Sequence, residues 1–113
     1  MTSKYRNTPC GEDGYRFDSL AERARYQQLK LLVAAGQIRQ LEVHPAFPLV
    51  VNGRTVCRYE ADFAYFDEAE QRRTVEDVKG ARTALFRLKA RLLHACHGIV
   101  VQEIPARDLR GTA

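Results

Sequence analysis

The spacing of apolar residues predicts two helices in this chain. The first runs from about Leu20 to Ala35, because Ser19 and Glu22 have the spacing of a capping box and Gly36 supplies a C-terminal stop. The second covers residues 83–98, which again end in a glycine. Its apolar stripe is predicted to contain Leu85, Leu88, Leu92 and Ala95 or Cys96.

Alternating and continuous apolar patterns predict strands between and after these helices. The strongest signal is the Asn52-Gly53 pair, which favours a type I′ turn between two strand patterns. Strand-like segments occupy residues 38–44, 47–51, 54–66, 73–79 and 99–104. The order of helix, three or four antiparallel strands, helix and final strand predicts an α/β fold with a mixed sheet flanked by helices.

Composition is typical of a globular protein with one domain. The 113 residues are 45% hydrophobic and 28% charged, a balance that excludes wholesale disorder. We expect a folded domain over residues 17–104, an irregular arm over 1–16 and a polar tail over 105–113. No apolar run reaches the roughly 18 to 20 residues that cross a bilayer, and the N-terminus has no apolar signal segment. We therefore expect a cytoplasmic protein without a membrane partner.

Acidic and basic residues are distributed unevenly along the chain, whose formal net charge is +4. Seven acids lie between Glu60 and Asp77, whereas five bases and no acid lie between Lys79 and His97. An acidic hairpin followed by a basic helix suits a protein that holds a divalent cation and grips phosphates. The alternative is that both are solvated faces without a ligand.

Strand parity and hairpin register bring particular acids together. If the turn after residue 66 closes symmetrically around Ala69-Glu70, residues whose numbers sum to 139 stand opposite each other, and Asp62 and Asp77 satisfy that sum. Directly opposed residues have Cβ atoms about 5 Å apart, so two carboxylates there repel each other unless a cation lies between them. Lys79 shares a face with Asp77, whereas Glu76 points the other way.

This arrangement suits the hydrolysis of a phosphodiester. Mg²⁺ prefers one or two carboxylates, water and substrate phosphate, and we expect Asp62 and Asp77 as ligands, with the Val78 carbonyl as a further one. Lys79 would position or deprotonate the attacking water. Glu22 has two open interpretations, a metal ligand or only a capping-box residue. Asp62 has an alternative too, since it could be solvated or pair with Arg58 or Arg72.

Motifs along nearly the whole chain resemble a small family found in phages and prophages. They are Tyr5-Arg6-Asn7, F-D-S-x-x-E-x-x-R-Y from Phe17 to Tyr26, H/Q-P-x-F from His44 to Phe47, Y-x-A-D-F-x-Y from Tyr59 to Tyr65, V-E-D-V-K-G from Val75 to Gly80, and then Thr83, Phe86 and Lys89. That family was long catalogued only as a domain of unknown function and is placed in the PD-(D/E)XK nuclease superfamily.

The resemblance implies a restriction-endonuclease-like αβββαβ core and a set of site residues. It gives Glu22, Asp62, Asp77 and Lys79 the acid, acid and acid-x-Lys roles of the superfamily. This chain departs from the superfamily pattern at two positions: Ala61 replaces its nominal proline, and Asp77 stands where glutamate is commoner.

The function predicted from these observations is a Mg²⁺- or Mn²⁺-dependent DNA endonuclease, encoded by a phage or prophage. It would act in recombination or replication, for example on branched DNA such as four-way junctions, and as a homodimer if it cuts paired strands. Arg82, just before the second helix, and Arg87 and Lys89 on it are predicted to contact DNA phosphates, and no organic cofactor is expected. The alternative is a DNA-binding module that has the nuclease fold but does not turn over, or that needs a partner subunit.

Overall fold

Two α-helices, eight strands and one short 3-10 helix make up the part of the chain that the computed structural model describes, residues 9–109. The elements are β1 (Cys10–Glu12), β2 (Tyr15–Phe17), α1 (Leu20–Ala34), β3 (Ile38–Val43), β4 (Ala46–Val51), β5 (Arg54–Glu60), β6 (Phe63–Asp67), β7 (Arg72–Lys79), α2 (Ala84–His97), β8 (Val101–Pro105) and a final 3-10 helix (Ala106–Leu109). Neither helix in this part of the chain has the length and apolar character needed to cross a membrane.

A four-stranded mixed sheet forms the centre of the molecule, in the order β3-β6-β7-β8. The first three strands are antiparallel, and β8 lies parallel to β7, so that α2 is the crossover between them. The predicted α/β fold with a mixed sheet is confirmed. Along the chain, the helices and sheet strands follow the order αβββαβ, with the β4–β5 hairpin inserted between the first two sheet strands.

The sheet is covered on both faces. Because side chains alternate along β6, Phe63 and Tyr65 join one core cluster and Ala64 joins the other. The cluster on the α1 face contains Phe17, Tyr26, Leu29, Ile38, Phe63 and Tyr65. The cluster beneath α2 and the β4–β5 hairpin contains Leu49, Tyr59, Ala61, Ala64, Val75, Phe86 and Leu93.

Local signals at helix ends and turns are confirmed. Helix α1 ends one residue before the predicted position, and the Ser19 side chain accepts a hydrogen bond from the Glu22 amide as its cap. Asn52 and Gly53 both have positive φ, 51° and 76°, as a type I′ turn requires.

Ordered structure extends into both predicted terminal segments. The irregular arm was expected to reach residue 16, but β1 and β2 form a hairpin there because Asp13 and Gly14, with φ of 53° and 83°, close a tight turn. The segment assigned to a polar tail begins with the 3-10 helix, whose Leu109 is buried. Residues 1–8 and 110–113 of these segments lie outside the described residues.

The predicted apolar stripe of α2 is wrong at its first two positions, whereas Leu92 packs against the core as predicted. Leu85 and Leu88 are 60% and 53% exposed, whereas Phe86 and Leu93 are buried. Both sets have helical spacing, so periodicity alone could not choose between them. The larger Phe86 ring packs beneath the hairpin near Tyr59 and thereby sets the rotation of the helix.

The strand predicted over residues 54–66 is divided in the structure. Strand β5 ends at Glu60 and β6 begins at Phe63, so the chain leaves the β4–β5 hairpin and enters the central sheet at Ala61-Asp62. This break is the feature that positions the candidate site.

Candidate functional site

The chain leaves the central sheet and re-enters it at two neighbouring points. The chain leaves the sheet after β3 at His44-Pro45 and returns before β6 at Ala61-Asp62. The His44 amide donates to the Asp62 carbonyl at 2.9 Å, and the Ala61 amide donates to the Pro45 carbonyl at 2.9 Å. These two backbone bonds place His44 and Asp62 next to each other, although 17 residues separate them in sequence.

His44 has a backbone conformation that few residues adopt. Its φ is 56°, in the left-handed region, although the proline that follows favours an extended backbone at this position. Such a conformation costs about 1 kcal/mol or more and is concentrated at functional sites. It turns the chain sharply out of the sheet, and the imidazole contacts the Glu22 carboxylate.

Glu22, His44 and Asp62 form a group of possible metal ligands. One ligand atom from each residue lies within 4.8 Å of the other two. His44 Nε2 is 2.8 Å from Glu22 Oε1, and Glu22 is only 4% exposed. The imidazole is 29% exposed, so the group can be reached from solvent. Two carboxylates and an imidazole are a donor set that divalent cations accept.

The predicted register between Asp62 and Asp77 is confirmed. The pairs of β6 and β7 from Phe63↔Glu76 to Asp67↔Arg72 all sum to 139, and Asp62 and Asp77 continue that register one step further. The Asp62 amide donates to Asp77 Oδ1 at 2.9 Å, and the Val78 amide donates to Asp62 Oδ2 at 2.7 Å. The Tyr59 hydroxyl donates to the other oxygen of Asp77.

The group of possible metal ligands shares Glu22 and Asp62 with the predicted set and adds His44, while metal binding by Asp77 stays a prediction. Both oxygens of Asp77 accept hydrogen bonds from the protein, and Asp77 does not belong to the three-residue group. Val78 contacts Asp62 through its amide, while a role for its carbonyl stays a prediction. Asp77 accepts a hydrogen bond from the Asp62 amide, and its charge raises the pKa of the Asp62 carboxyl.

Burial and crowding raise the pKa of each acid in this site. Burial, followed by the charges of Glu22 and Asp77, raises the pKa of Asp62 to about 8. Burial also raises the pKa of Asp77, against the opposing effects of the Tyr59 hydrogen bond and the Lys79 charge. Burial raises the pKa of Glu22, against the opposing His44 hydrogen bond. Three carboxyls that resist ionisation in one small region are a site where a bound cation would be strongly favoured.

Lys79 lies on the same face as Asp77, as predicted. Its Nζ rests 4.3 Å from the centroid of the Phe86 ring, and its charge acts on both Asp62 and Asp77. Among residues 9–109, no carboxylate lies within 4 Å of this ammonium. Lys79 is thus beside the acids without being neutralised by direct contact.

The contacts of Glu22 fit both of its interpretations, a helix cap and a possible metal ligand. Its carboxylate reaches back to the Asp18 amide at 3.4 Å through one oxygen, which resembles a cap. The other oxygen points to His44, and the side chain is withdrawn from solvent toward Asp62. Glu22 therefore takes part in both the helix start and the candidate site.

A buried ion pair holds α1 against β7 and so fixes the distance of Glu22 from the other acids. Arg25 donates to Glu76 through Nε at 2.8 Å and through a terminal nitrogen at 2.6 Å. The Tyr65 hydroxyl donates to the same carboxylate, and Gln28 accepts from the remaining arm of Arg25. Glu76 faces α1, opposite to Asp77, as strand parity predicted.

The predicted phosphate-contacting residues, Arg82 before α2 and two residues on it, have different surroundings. Arg82 is paired with Glu103 at 3.0 Å, and Arg87 donates weakly to the Arg82 carbonyl. Lys89 donates to the Arg58 carbonyl at 3.4 Å on the β4–β5 hairpin. Neither Arg58 nor Arg72 pairs with Asp62 within the described residues, and Arg72 instead lies 3.8 Å from Glu70.

His44 is the site residue that the residue-level reasoning did not identify. In the sequence it is only the first position of a His-Pro-x-Phe motif, and no ligand or catalytic role was predicted for it. A histidine directly before a proline at the end of a predicted strand was the available signal, because that position needs a sharp change of direction.

Comparison with known proteins gives one finding. A family model described as "Protein of unknown function (DUF1064)" matches residues 2–109, nearly the whole chain. No curated protein and no solved structure matches the chain.

Proposed function

The chain belongs to the DUF1064 family of unknown function, and we propose that it is a divalent-metal-dependent DNA endonuclease. One observation carries the proposal: Glu22, His44 and Asp62 bring three ligand atoms within 4.8 Å of one another. Asp77 and Lys79, the acid-x-Lys pair, lie immediately beside this group on β7.

The donor set fits a metal that accepts both oxygen and nitrogen. Glu22 and Asp62 would supply carboxylate oxygens and His44 an imidazole nitrogen. Mg²⁺ prefers oxygen ligands and near-ideal octahedral geometry, whereas Mn²⁺, a softer transition-metal ion, accepts the same oxygen ligands and binds an imidazole nitrogen more readily than Mg²⁺ does. We therefore propose Mn²⁺ or Mg²⁺ as the cofactor, with Mn²⁺ the more effective.

The site residues would divide the work of hydrolysis. A bound divalent ion would polarise a phosphoryl oxygen and acidify the attacking water. Asp77 would hold Asp62 in place through the Asp62 amide. Lys79, with no carboxylate in direct contact, would stabilise the negative charge that develops on the phosphoryl group as the water oxygen bonds to phosphorus and the leaving oxygen departs.

The His44 imidazole is 29% exposed, so the candidate site opens to the surface, where a polymeric substrate could lie across it. Small-molecule sites are usually well-formed concave pockets. Two depressions, of about 450 and 400 Å³, lie elsewhere, the first beside Gln40 and Phe66 and the second beside Val75 and Ile99. Neither includes a residue of the candidate site, which lies instead at the chain crossing below the β4–β5 hairpin.

The family resemblance set out above extends the proposal to biological context. We propose a phage- or prophage-encoded enzyme of the PD-(D/E)XK superfamily that acts in the cytoplasm of the bacterial host on recombining or replicating DNA. The αβββαβ order of helices and sheet strands supports this extension. A homodimer would allow both strands of a junction to be cut.

The test is cleavage of a panel of linear, nicked, flapped, forked and four-way DNA with Mn²⁺, Mg²⁺ or EDTA. We expect cleavage with either metal and none with EDTA. Asp77→Asn and Lys79→Ala are expected to lower the rate at least 100-fold while leaving the far-ultraviolet circular dichroism spectrum unchanged. The surface variant Arg107→Gln serves as the matched control, since Arg107 is 79% exposed on the final 3-10 helix.

Two outcomes would overturn the proposal. Full activity of both site variants would remove Asp77 and Lys79 from the mechanism. Salt-dependent DNA binding with no cleavage of any substrate under either metal would instead favour the binding-module alternative.

A further inference from the structure

Several basic residues on the α1 side of the molecule are neutralised by neighbouring acids, although within residues 9–109 Arg16 of β2 and Arg23 of α1 have no carboxylate within 4 Å. Lys30 on α1 lies 2.7 Å from Asp13, and Arg39 on β3 lies 3.3 Å from Glu68. The bases paired in the same way elsewhere on α1 and on β7 are Arg25, Arg72 and Arg73. These side chains add little positive potential to the surface, because each charge is offset locally.

On the β4–β5 hairpin, both arginines lack an acidic partner among the described residues. Arg54 and Arg58 on β5 are both exposed, and within residues 9–109 neither has a carboxylate within 4 Å. Strand β4 contributes no charged residue, and Glu60, the one acid of the hairpin, lies at its base. Lys89 adds a further positive charge, since its Nζ is 3.4 Å from the Arg58 carbonyl.

The hairpin extends directly from the candidate site. The Tyr59 hydroxyl donates to Asp77, so β5 is tied to the site at that residue. At about 3.3 Å per strand residue, Arg58 lies at most about 13 Å from Asp62 and Arg54 at most about 26 Å. Duplex DNA presents one charge per about 1.7 Å of axis, so a strand of this reach passes several phosphates.

We propose that the β4–β5 hairpin binds duplex DNA, with Arg54 and Arg58 contacting the phosphates that flank the bond to be cut. The inference rests on the proposed function for the position of that bond. The exposed large apolar residues of the hairpin are Val50, Val51 and Val56. These aliphatic side chains offer no stacking platform for unpaired bases, so the hairpin suits the phosphate backbone of a duplex rather than a single strand.

The experiment measures binding of a 20-base-pair DNA duplex in EDTA at salt concentrations from 50 to 200 mM. For the double variant Arg54→Gln/Arg58→Gln, the slope of log K against log salt should become less steep by about 1.8, because two phosphate contacts contribute about 0.9 each. The ratio of wild-type to variant affinity should then shrink about tenfold over this fourfold range.

The matched control is Lys30→Gln/Arg39→Gln, which removes the same net charge from exposed residues that have acidic partners. Its slope should equal that of the wild type, and both double variants should retain the wild-type melting temperature within about 3 °C, as is usual for exposed residues. If the slope of the control variant becomes less steep by as much as that of the hairpin variant, the effect is one of net charge in general and the proposal is overturned.

The inference and the proposed function fail in different ways. An unchanged slope for the hairpin variant, or equal affinity of the wild type for single-stranded DNA or duplex RNA, overturns the hairpin as a duplex-DNA site even if cleavage is observed. If the hairpin variant shows the smaller slope while the wild type cleaves nothing with Mn²⁺ or Mg²⁺, the binding surface stands and the catalytic proposal fails.

Discussion

In the absence of metal, the stability of the Asp62→Asn variant relative to the wild type should be greater at neutral pH than at acidic pH. In the folded wild type, burial and two neighbouring acids raise the pKa of Asp62 to about 8, from an ordinary value of 3.8. Between these two values the folded state holds a proton that the unfolded state has lost. The free energy of unfolding therefore falls as pH rises, and the contribution present below pH 3.8 is lost by about pH 8.

The size of the effect follows from the pKa difference. Each pH unit inside that window is worth about 1.4 kcal/mol, so from pH 5 to pH 7 the Asp62 contribution falls by about 3 kcal/mol. Asparagine does not titrate, and its side-chain oxygen can still accept from the Val78 amide. The stability of Asp62→Asn relative to the wild type should rise by about 3 kcal/mol over the same range.

Urea unfolding at pH 5 and pH 7 in EDTA measures this difference. With a slope of about 1.5 kcal/mol per molar urea, the urea midpoint of Asp62→Asn minus that of the wild type should rise by about 2 M from pH 5 to pH 7. Asp108→Asn is the control for loss of a carboxylate at an exposed position, and its midpoint should follow the wild type at both pH values. A gap for Asp62→Asn that is the same at pH 5 and pH 7 would refute the assignment of a destabilising buried charge.

Metal addition completes the same experiment. Mn²⁺ at 100 times its dissociation constant should stabilise the wild type by about 2.7 kcal/mol at pH 7, because binding to the folded state draws the equilibrium toward it. Asp62→Asn should gain much less, since it loses one of the three ligands. Equal stabilisation of both proteins by Mn²⁺ would place the cation elsewhere.

Three further variants test the surroundings of the site. His44→Gln replaces the imidazole donor, and the preference for Mn²⁺ over Mg²⁺ in cleavage rate should disappear; an unchanged ratio would exclude a ligand role. Glu76→Gln leaves Arg25 without its buried partner and should lower the free energy of unfolding by about 3–5 kcal/mol in urea, whereas the exposed Glu70→Gln should change it by under about 0.5 kcal/mol. Comparable losses in the two would contradict the assigned role of the buried pair. Thr83→Ala removes the cap that accepts from the α2 backbone and should cost about 1 kcal/mol with the cleavage rate retained, as a thermal melt and the DNA assay would show.

The sequence predicted those features that depend on neighbours along the chain. The bounds of α1 follow from Ser19 and Gly36, which act on the helix ends within one turn. The opposition of Asp62 and Asp77 follows from a short turn and a two-residue period, since a hairpin of known length has one register. These are short-range effects, and a single sequence contains them in full.

The tertiary structure decided which distant residues meet. His44 joins Glu22 and Asp62 only because the β4–β5 hairpin leaves the sheet and returns at adjacent points, a contact that no local pattern encodes. The buried face of α2 was likewise chosen by packing of Phe86 under the hairpin, since two stripes had equally good helical spacing. Local sequence determined most of the strands and helices, but not the β1–β2 hairpin or the break at Ala61-Asp62, and the group of possible ligands depends on where long-range burial places the ends of these elements.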